Sequence, residues 1–197
     1  MKSLSCLVIL LAGCAVQQTT DAATIRAALS PERVAALQTG MILVEAQDIG
    51  VAATLVPVAR NGPVVSWRTR DAVQLSYRDG VIVATRGLGH DIMAADVSNV
   101  LAALQRGEGR YDRGVGRLDG NFVMQFETWS CQLAPFGGAD DPGLAPATGI
   151  AHYREQCVTP EGWIENTYSR DSSGTMWSSQ QWIAAQIGYL QTTLIKP

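Results

Sequence analysis

From Met41 to Ile195 the chain is a succession of short apolar runs, several with period two, separated by residue pairs that reverse a chain. Alternation of this kind means a strand with one buried face, and short strands joined by tight turns pair antiparallel with their neighbours. The clearest unit spans residues 72–86. Val73, Leu75 and Tyr77 alternate, Asp79-Gly80 fits the two positive-φ positions of a type I′ turn, and Val81–Arg86 returns. Met41–Ala46, Val51–Arg60 and Val64–Arg68 read as strands before it, with Asn61-Gly62 as a turn. After it, Leu118-Asp119-Gly120-Asn121 turns into a strand over Phe122–Leu133, in which Phe122, Met124 and Phe126 share a face. Residues 134–149 are rich in Pro and Gly and read as a surface loop. Ile150–Val158, Trp163–Ser169, Met176–Ile183 and Ile187–Ile195 complete the series, with turns at Pro160-Glu161-Gly162 and Ser172-Ser173-Gly174.

Two segments break the strand pattern. Ser30 precedes Pro31 as an N-cap precedes a first-turn proline, and Val34-Ala35-Ala36-Leu37 carry a helix on towards Gly40. Asp96 caps a second helix through Val97, Val100, Leu101 and Leu104, which Gly107 ends. The expected fold is therefore mainly β: an antiparallel sandwich or open barrel-like sheet with one or two short helices.

The N-terminus sets the compartment. Lys2 supplies a positive start, and Leu4–Leu11 is apolar apart from Ser5. That run is too short to span a bilayer, which takes about 20 residues. It fits a secretory signal, and Leu11-Ala12-Gly13-Cys14 has the form of a bacterial lipobox. Residues 1–13 are thus expected to be a lipoprotein signal peptide, with a diacyl or triacyl group on the Cys14 thiol. More than one acyl chain is what stable anchoring needs. Residues 14–23 would be the lipidated cysteine and a polar tether; nine residues reach at most about 30 Å. Residues 24–197 would form a single β-rich periplasmic domain. Residue 15 is Ala rather than Asp, which favours the outer membrane.

Cys6 falls in the signal, and Cys14 is taken by lipid. The remaining pair, Cys131 and Cys157, lies in an exported domain and is expected to be bridged. A metal site would need further ligands, and only His152 is near in sequence; no metal or cofactor is expected. The formal net charge is −3, and the arginines are scattered. No basic block supports nucleic-acid binding.

Catalytic residues are hard to assemble from two histidines. His90 lies in Thr85-Arg86-Gly87-Leu88-Gly89-His90-Asp91, a strand-to-loop turn that lacks the third glycine of a dinucleotide fingerprint. His152 stands alone in a strand. Asp140-Asp141 is weak as a calcium site without an Asp-rich repeat, and no catalytic residue is assigned. The C-terminal third is rich in large aromatics, among them Trp163, Trp177 and Trp182. Aromatic faces on strands either build core or stack on sugar rings and partner surfaces.

Trp163-Ile164-Glu165-Asn166-Thr167-Tyr168 leads into Asp171-Ser172-Ser173-Gly174, then Trp177-Ser178-Ser179-Gln180-Gln181-Trp182 and a closing Leu194-Ile195-Lys196-Pro197. In this order, and with the lipobox and the 73–88 hairpin ahead of it, the chain resembles the YjbF/GfcB family of outer-membrane lipoproteins linked to group 4 capsule and exopolysaccharide production. There the strand reads like NTFWVD, followed by a Ser/Thr-Gly turn, an SRQ segment and LKP. Here Gln180 stands where that pattern has Arg. The resemblance implies an antiparallel β domain encoded with polysaccharide-export components and no established enzyme activity. The function expected is a non-enzymatic accessory lipoprotein on the periplasmic side of the outer membrane. It would bind glycan or an outer-membrane secretion protein, with Trp163, Trp177 and Trp182 as contact residues. The alternative is a periplasmic enzyme acting on an envelope polysaccharide, with His90 and nearby acids as its site.

Overall fold

The computed structural model describes residues 21–118, 121–137 and 149–197. Their strands form one twelve-stranded antiparallel sheet, curled into a nearly closed barrel. Of the two architectures left open by the sequence, the barrel-like sheet is the one adopted.

The strands are β1 (Met41–Ala46), β2 (Val51–Asn61), β3 (Val64–Arg68), β4 (Gln74–Arg78), β5 (Val81–Arg86), β6 (Ala94–Ala95), β7 (Gly109–Leu118), β8 (Met124–Pro135), β9 (Ile150–Thr159), β10 (Gly162–Asp171), β11 (Met176–Ala184) and β12 (Gly188–Lys196). They run β5-β4-β3-β2-β1-β12-β11-β10-β9-β8-β7-β6 around the barrel. Two meanders, β1–β5 and β6–β12, are thus joined by the pairing of the first strand with the last, in which Leu43 faces Thr193 and Ala46 faces Leu190. The free edges β5 and β6 approach one another: the Thr85 N–H donates to the Ile92 carbonyl at 2.8 Å. Arg86 adds side-chain bonds to the carbonyls of Ile92 and Met93. Side chains rather than a ladder serve the rest of the β5 edge: the Ile82 N–H donates to Gln181 and its carbonyl accepts from Arg113.

Since consecutive strands are antiparallel, connections alternate between two ends. The top carries the β1–β2, β3–β4, β5–β6, β7–β8, β9–β10 and β11–β12 links; the bottom carries the others, with the approach to β1 and the end of β12. At the bottom, Asp79 and Gly80 both have positive φ, as the type I′ turn requires.

Three α-helices accompany the sheet: α1 (Ala22–Ala28), α2 (Pro31–Ala36) and α3 (Ser98–Arg106). Ser30 caps α2 as expected. The α1 helix starts inside the stretch expected to be tether, because Asp21 accepts from the Thr24 N–H and caps it. Helix α1 lies outside the barrel against β2, and α2 ends beside Lys196 of β12. Leu43 and Glu45, outward-facing on β1, are both buried, and Arg26 of α1 pairs with Glu45 at 2.5 Å. In α3, Asp96 accepts from the Ser98 N–H, and Gly107 ends the helix in the left-handed conformation. Val100, Leu101 and Leu104 pack on Val81, Leu133 and Tyr168, closing the bottom of the interior.

Strand β7 was not expected. Its glycines and three arginines hide the alternation, yet it pairs with β8 over ten positions. Inward on β7 point Tyr111, Arg113 and Val115; the main core is Ile42, Val44, Leu55, Leu75, Ile82, Trp129, Ile164, Ile183 and Leu190, with Cys131 and Cys157.

Candidate functional site

The three tryptophans occupy three different settings. Trp163 begins β10, points outward and is 73% exposed. It pairs across the sheet with Val158, which faces Ser130, which faces Asp112. The next row below is Glu165, Gln156, Gln132 and Arg110. All of these but Glu165 line a shallow depression on the outer wall. Ser130 donates to Asp112 at 2.9 Å and Gln156 to Glu165 at 3.0 Å, so the polar groups beside the ring are held in place. Arg154 adds an ion pair to Glu165 at 3.1 Å.

Trp182 is also outward but half-buried, because Tyr189 packs against it edge to face with ring centroids 5.0 Å apart. Trp177 lies at the bottom of the barrel, where its indole N–H donates to Asp171 at 2.9 Å. With Ile42, Val65, Trp67, Tyr77 and Leu194 it lines a mostly apolar cavity of about 170 Å³. Asp171 also accepts from Ser173 and from the Thr175 N–H; the Ser173 and Trp177 bonds, chiefly, hold its carboxyl down at a pKa of about 2.

His90 stands at the top mouth of the barrel among Asp91, Glu127 and Glu161. Asp91 accepts from Thr85 Oγ1 at 2.6 Å and from the N–H groups of Gly87 and Leu88. The backbone donors that would receive a phosphate in this loop are thus taken by its own carboxylate. Glu127 accepts from the Trp129 indole at 3.1 Å and lies beside Arg117. Among the described residues, no hydrogen bond joins His90 to an acid. His152 bonds Ser169 on the outer wall. Cys14 and Asp140-Asp141 lie outside the described residues.

Cys131 and Cys157 face each other across β8 and β9 and are joined as a disulfide inside the barrel. Glu155 lies two residues before Cys157 and near both sulfurs. As a disulfide, the cysteines offer no thiolate to a metal. Glu155 is instead bonded by Tyr111 at 2.8 Å, Arg113 at 3.2 Å, Asn166 at 2.7 Å and Tyr168 at 2.7 Å. Burial, reinforced by the Glu155 charge, pushes the phenols of Tyr111 and Tyr168 well above their usual range, so both stay protonated donors. Nothing in the sequence around Glu155 marks it as interior, and this cluster was not anticipated.

The sequence model of the YjbF family, described as group 4 capsule polysaccharide lipoprotein gfcB, YjbF, matches residues 14–195. The chain belongs to this family. It is a capsule-related lipoprotein of the cell envelope by that membership. Among solved structures, the hypothetical lipoprotein YmcC from Escherichia coli (K12) superposes with a TM-score of 0.70 at 19% identity. The match covers 88% of this chain and 94% of that one, and it shows a shared fold. No curated protein matches.

The stretches that resemble the YjbF family turn alternate side chains into the barrel, where they are hydrogen-bonded. Asn166 of the NTFWVD-like strand donates to Glu155 and accepts from the Trp182 N–H at 2.7 Å. Ser179 and Gln181 of the SRQ-like segment are hydrogen-bonded to each other at 2.8 Å. Gln181 also accepts from the Ile82 N–H and donates to the Gly80 carbonyl, holding β5 from within. Gln180, which stands where the family pattern has Arg, is on the outer wall facing Thr167 and Gln191. The departure therefore leaves the interior bonds intact.

Proposed function

We propose that this protein is a non-enzymatic accessory lipoprotein of capsule or exopolysaccharide export. Lipid on Cys14 anchors it to the outer membrane, its domain lies in the periplasm, and it binds glycan on the outer wall around Trp163. The observation that carries the reading is the exposed Trp163 ring above hydrogen-bonding groups, of which Asp112, Ser130 and Gln156 are held by bonds to their neighbours and Gln132 lies beside them. A sugar ring presents an apolar C–H face for an aromatic to cover and hydroxyls for flanking polar side chains, and an aromatic gives that area with few rotatable bonds. The enzyme alternative draws no comparable support, since Asp91 and Glu127 are committed to local hydrogen bonds.

The test is Trp163→Ala in cells that export polymer. The variant should fold and reach the envelope, yet release less polymer, and its purified domain should lose affinity for oligosaccharides of that polymer. Unchanged export and unchanged binding would overturn the glycan site. The anchor is tested separately: mass spectrometry of the membrane form should show an acylated N-terminal Cys14, and Cys14→Ala should leave the precursor uncleaved.

A further inference from the structure

On its β9 side, among the described residues, the upper part of the β7–β8 hairpin runs on without a strand neighbour. β8 starts at Met124, but its pairing with β9 begins only at Ser130. Residues 124–129 continue upward paired with β7 alone, while β7 itself stays paired with β6 as far as Gly116. The upper end of the hairpin is apolar on its outer side. Leu118 faces Met124, Phe126 lies across Gly116, and all three large side chains are exposed. Phe126 is 76% exposed and Phe122, beside the turn, 84%. Gly116 makes this arrangement close: a Cβ there would come within 3.0 Å of the Phe126 ring and 3.2 Å of the Met124 sulfur.

A second exposed apolar pair, Ile49 and Val51, occupies the same end at the β1–β2 link. The N-terminal segment leads to that end too. Arg26 in α1 pairs with Glu45 near the top of β1, whereas Ala35 and Leu37, further along the chain, accept from Lys196 at the bottom. The chain therefore comes in from the top and descends to β1. Cys14 is seven residues ahead of Asp21, a span of at most about 24 Å.

We infer that the top of the barrel rests on a phospholipid surface, with the outer side of the β7–β8 hairpin sunk into the headgroup–acyl boundary. The proposal rests on lipid anchoring at Cys14. A short lipid tether rooted at this end holds it against the bilayer, and apolar side chains kept at an interface are withdrawn from water. The Trp163 depression, just below the β9–β10 link, then lies near the membrane-facing end, while the Trp177 cavity faces away from the membrane.

The test uses lipidated full-length protein, with acylation of Cys14 first verified by mass, reconstituted in phosphatidylethanolamine–phosphatidylglycerol vesicles. Phe126→Trp introduces a probe in the hairpin and Val58→Trp one low on β2, each read as a difference from the parent. The Phe126→Trp emission should shift to the blue and be lost when the lipids are brominated, while that of Val58→Trp should not change. An unlipidated Cys14→Ser form should still bind the vesicles weakly, and Phe122→Ser with Phe126→Ser should weaken it by roughly tenfold or more. Circular dichroism and melting equal to the parent would show that these variants fold. Equal, unquenched emission from both probes on verified lipidated protein would overturn the proposal. So would a dimer of the Cys14→Ser form that depends on Phe122 and Phe126. Absence of the acyl group would instead overturn the anchor reading.

Discussion

Arg113 on β7 lies 3.2 Å from Glu155 on β9, and the two side chains are 3% and 0% exposed. Tyr111, Asn166 and Tyr168 occupy the rest of the carboxylate, and Arg113 also reaches the Ile82 carbonyl on β5. One buried ion pair thus ties four strands across the interior. Removing one member of such a pair strands a charge away from water. Arg113→Leu or Glu155→Leu should each lower the unfolding free energy by about 3–5 kcal/mol. The double apolar replacement should recover much of that loss, as urea titrations of the three variants would show.

The Cys131–Cys157 bridge closes a loop of sequence separation 26. In the chain-entropy account a link of that length restricts the unfolded chain by about 3–4 kcal/mol. Cys131→Ser with Cys157→Ser should show a loss of that order, and peptide mapping of unreduced protein should recover the two segments linked.

The aromatic substitutions should separate by burial. Trp163→Ala removes an exposed ring and should change stability by no more than about 0.5 kcal/mol. Trp182→Ala breaks the contact with Tyr189 and should cost on the order of 2 kcal/mol. Denaturant midpoints measured beside polymer release would show whether function is lost at Trp163 without loss of fold.

Asp171 should leave a mark in acid. Its hydrogen bonds to Ser173 and Trp177 lower its pKa from 3.8 to about 2, so the folded form binds its proton more weakly than the unfolded form. The stabilisation from this group is therefore fully present above about pH 4 and is lost as pH falls through 2. Asp171→Asn should flatten the pH dependence of stability in that window and leave it unchanged near neutrality. Trp177 fluorescence followed through an acid titration should report the same step.

Local chemistry was enough to determine the hairpin at Asp79-Gly80, the strands Met41–Ala46 and Val64–Arg68, the cap at Ser30 and the stop at Gly107; the helix after Asp96 formed, but with Val97 rather than Asp96 at its N-cap. Each depends on neighbours a few residues apart, so the sequence carries it directly. The family was legible for a related reason: the Asn166, Ser179 and Gln181 segments keep a short, ordered pattern, and these side chains hold the interior together. Tertiary structure alone decided the rest. Strand β7 was invisible because its Arg113 is tolerable inside only beside Glu155, 42 residues away. Barrel rather than sandwich was decided by the pairing of β1 with β12 and the meeting of β5 with β6, contacts between distant parts of the chain. The three tryptophans looked equivalent in sequence. Irregular register at Ser169/Arg170 and Trp182/Ala184, and the curl of the sheet, put one in solvent, one against Tyr189 and one in a cavity. Which face of a strand meets water is a property of the closed sheet, and no single strand contains it.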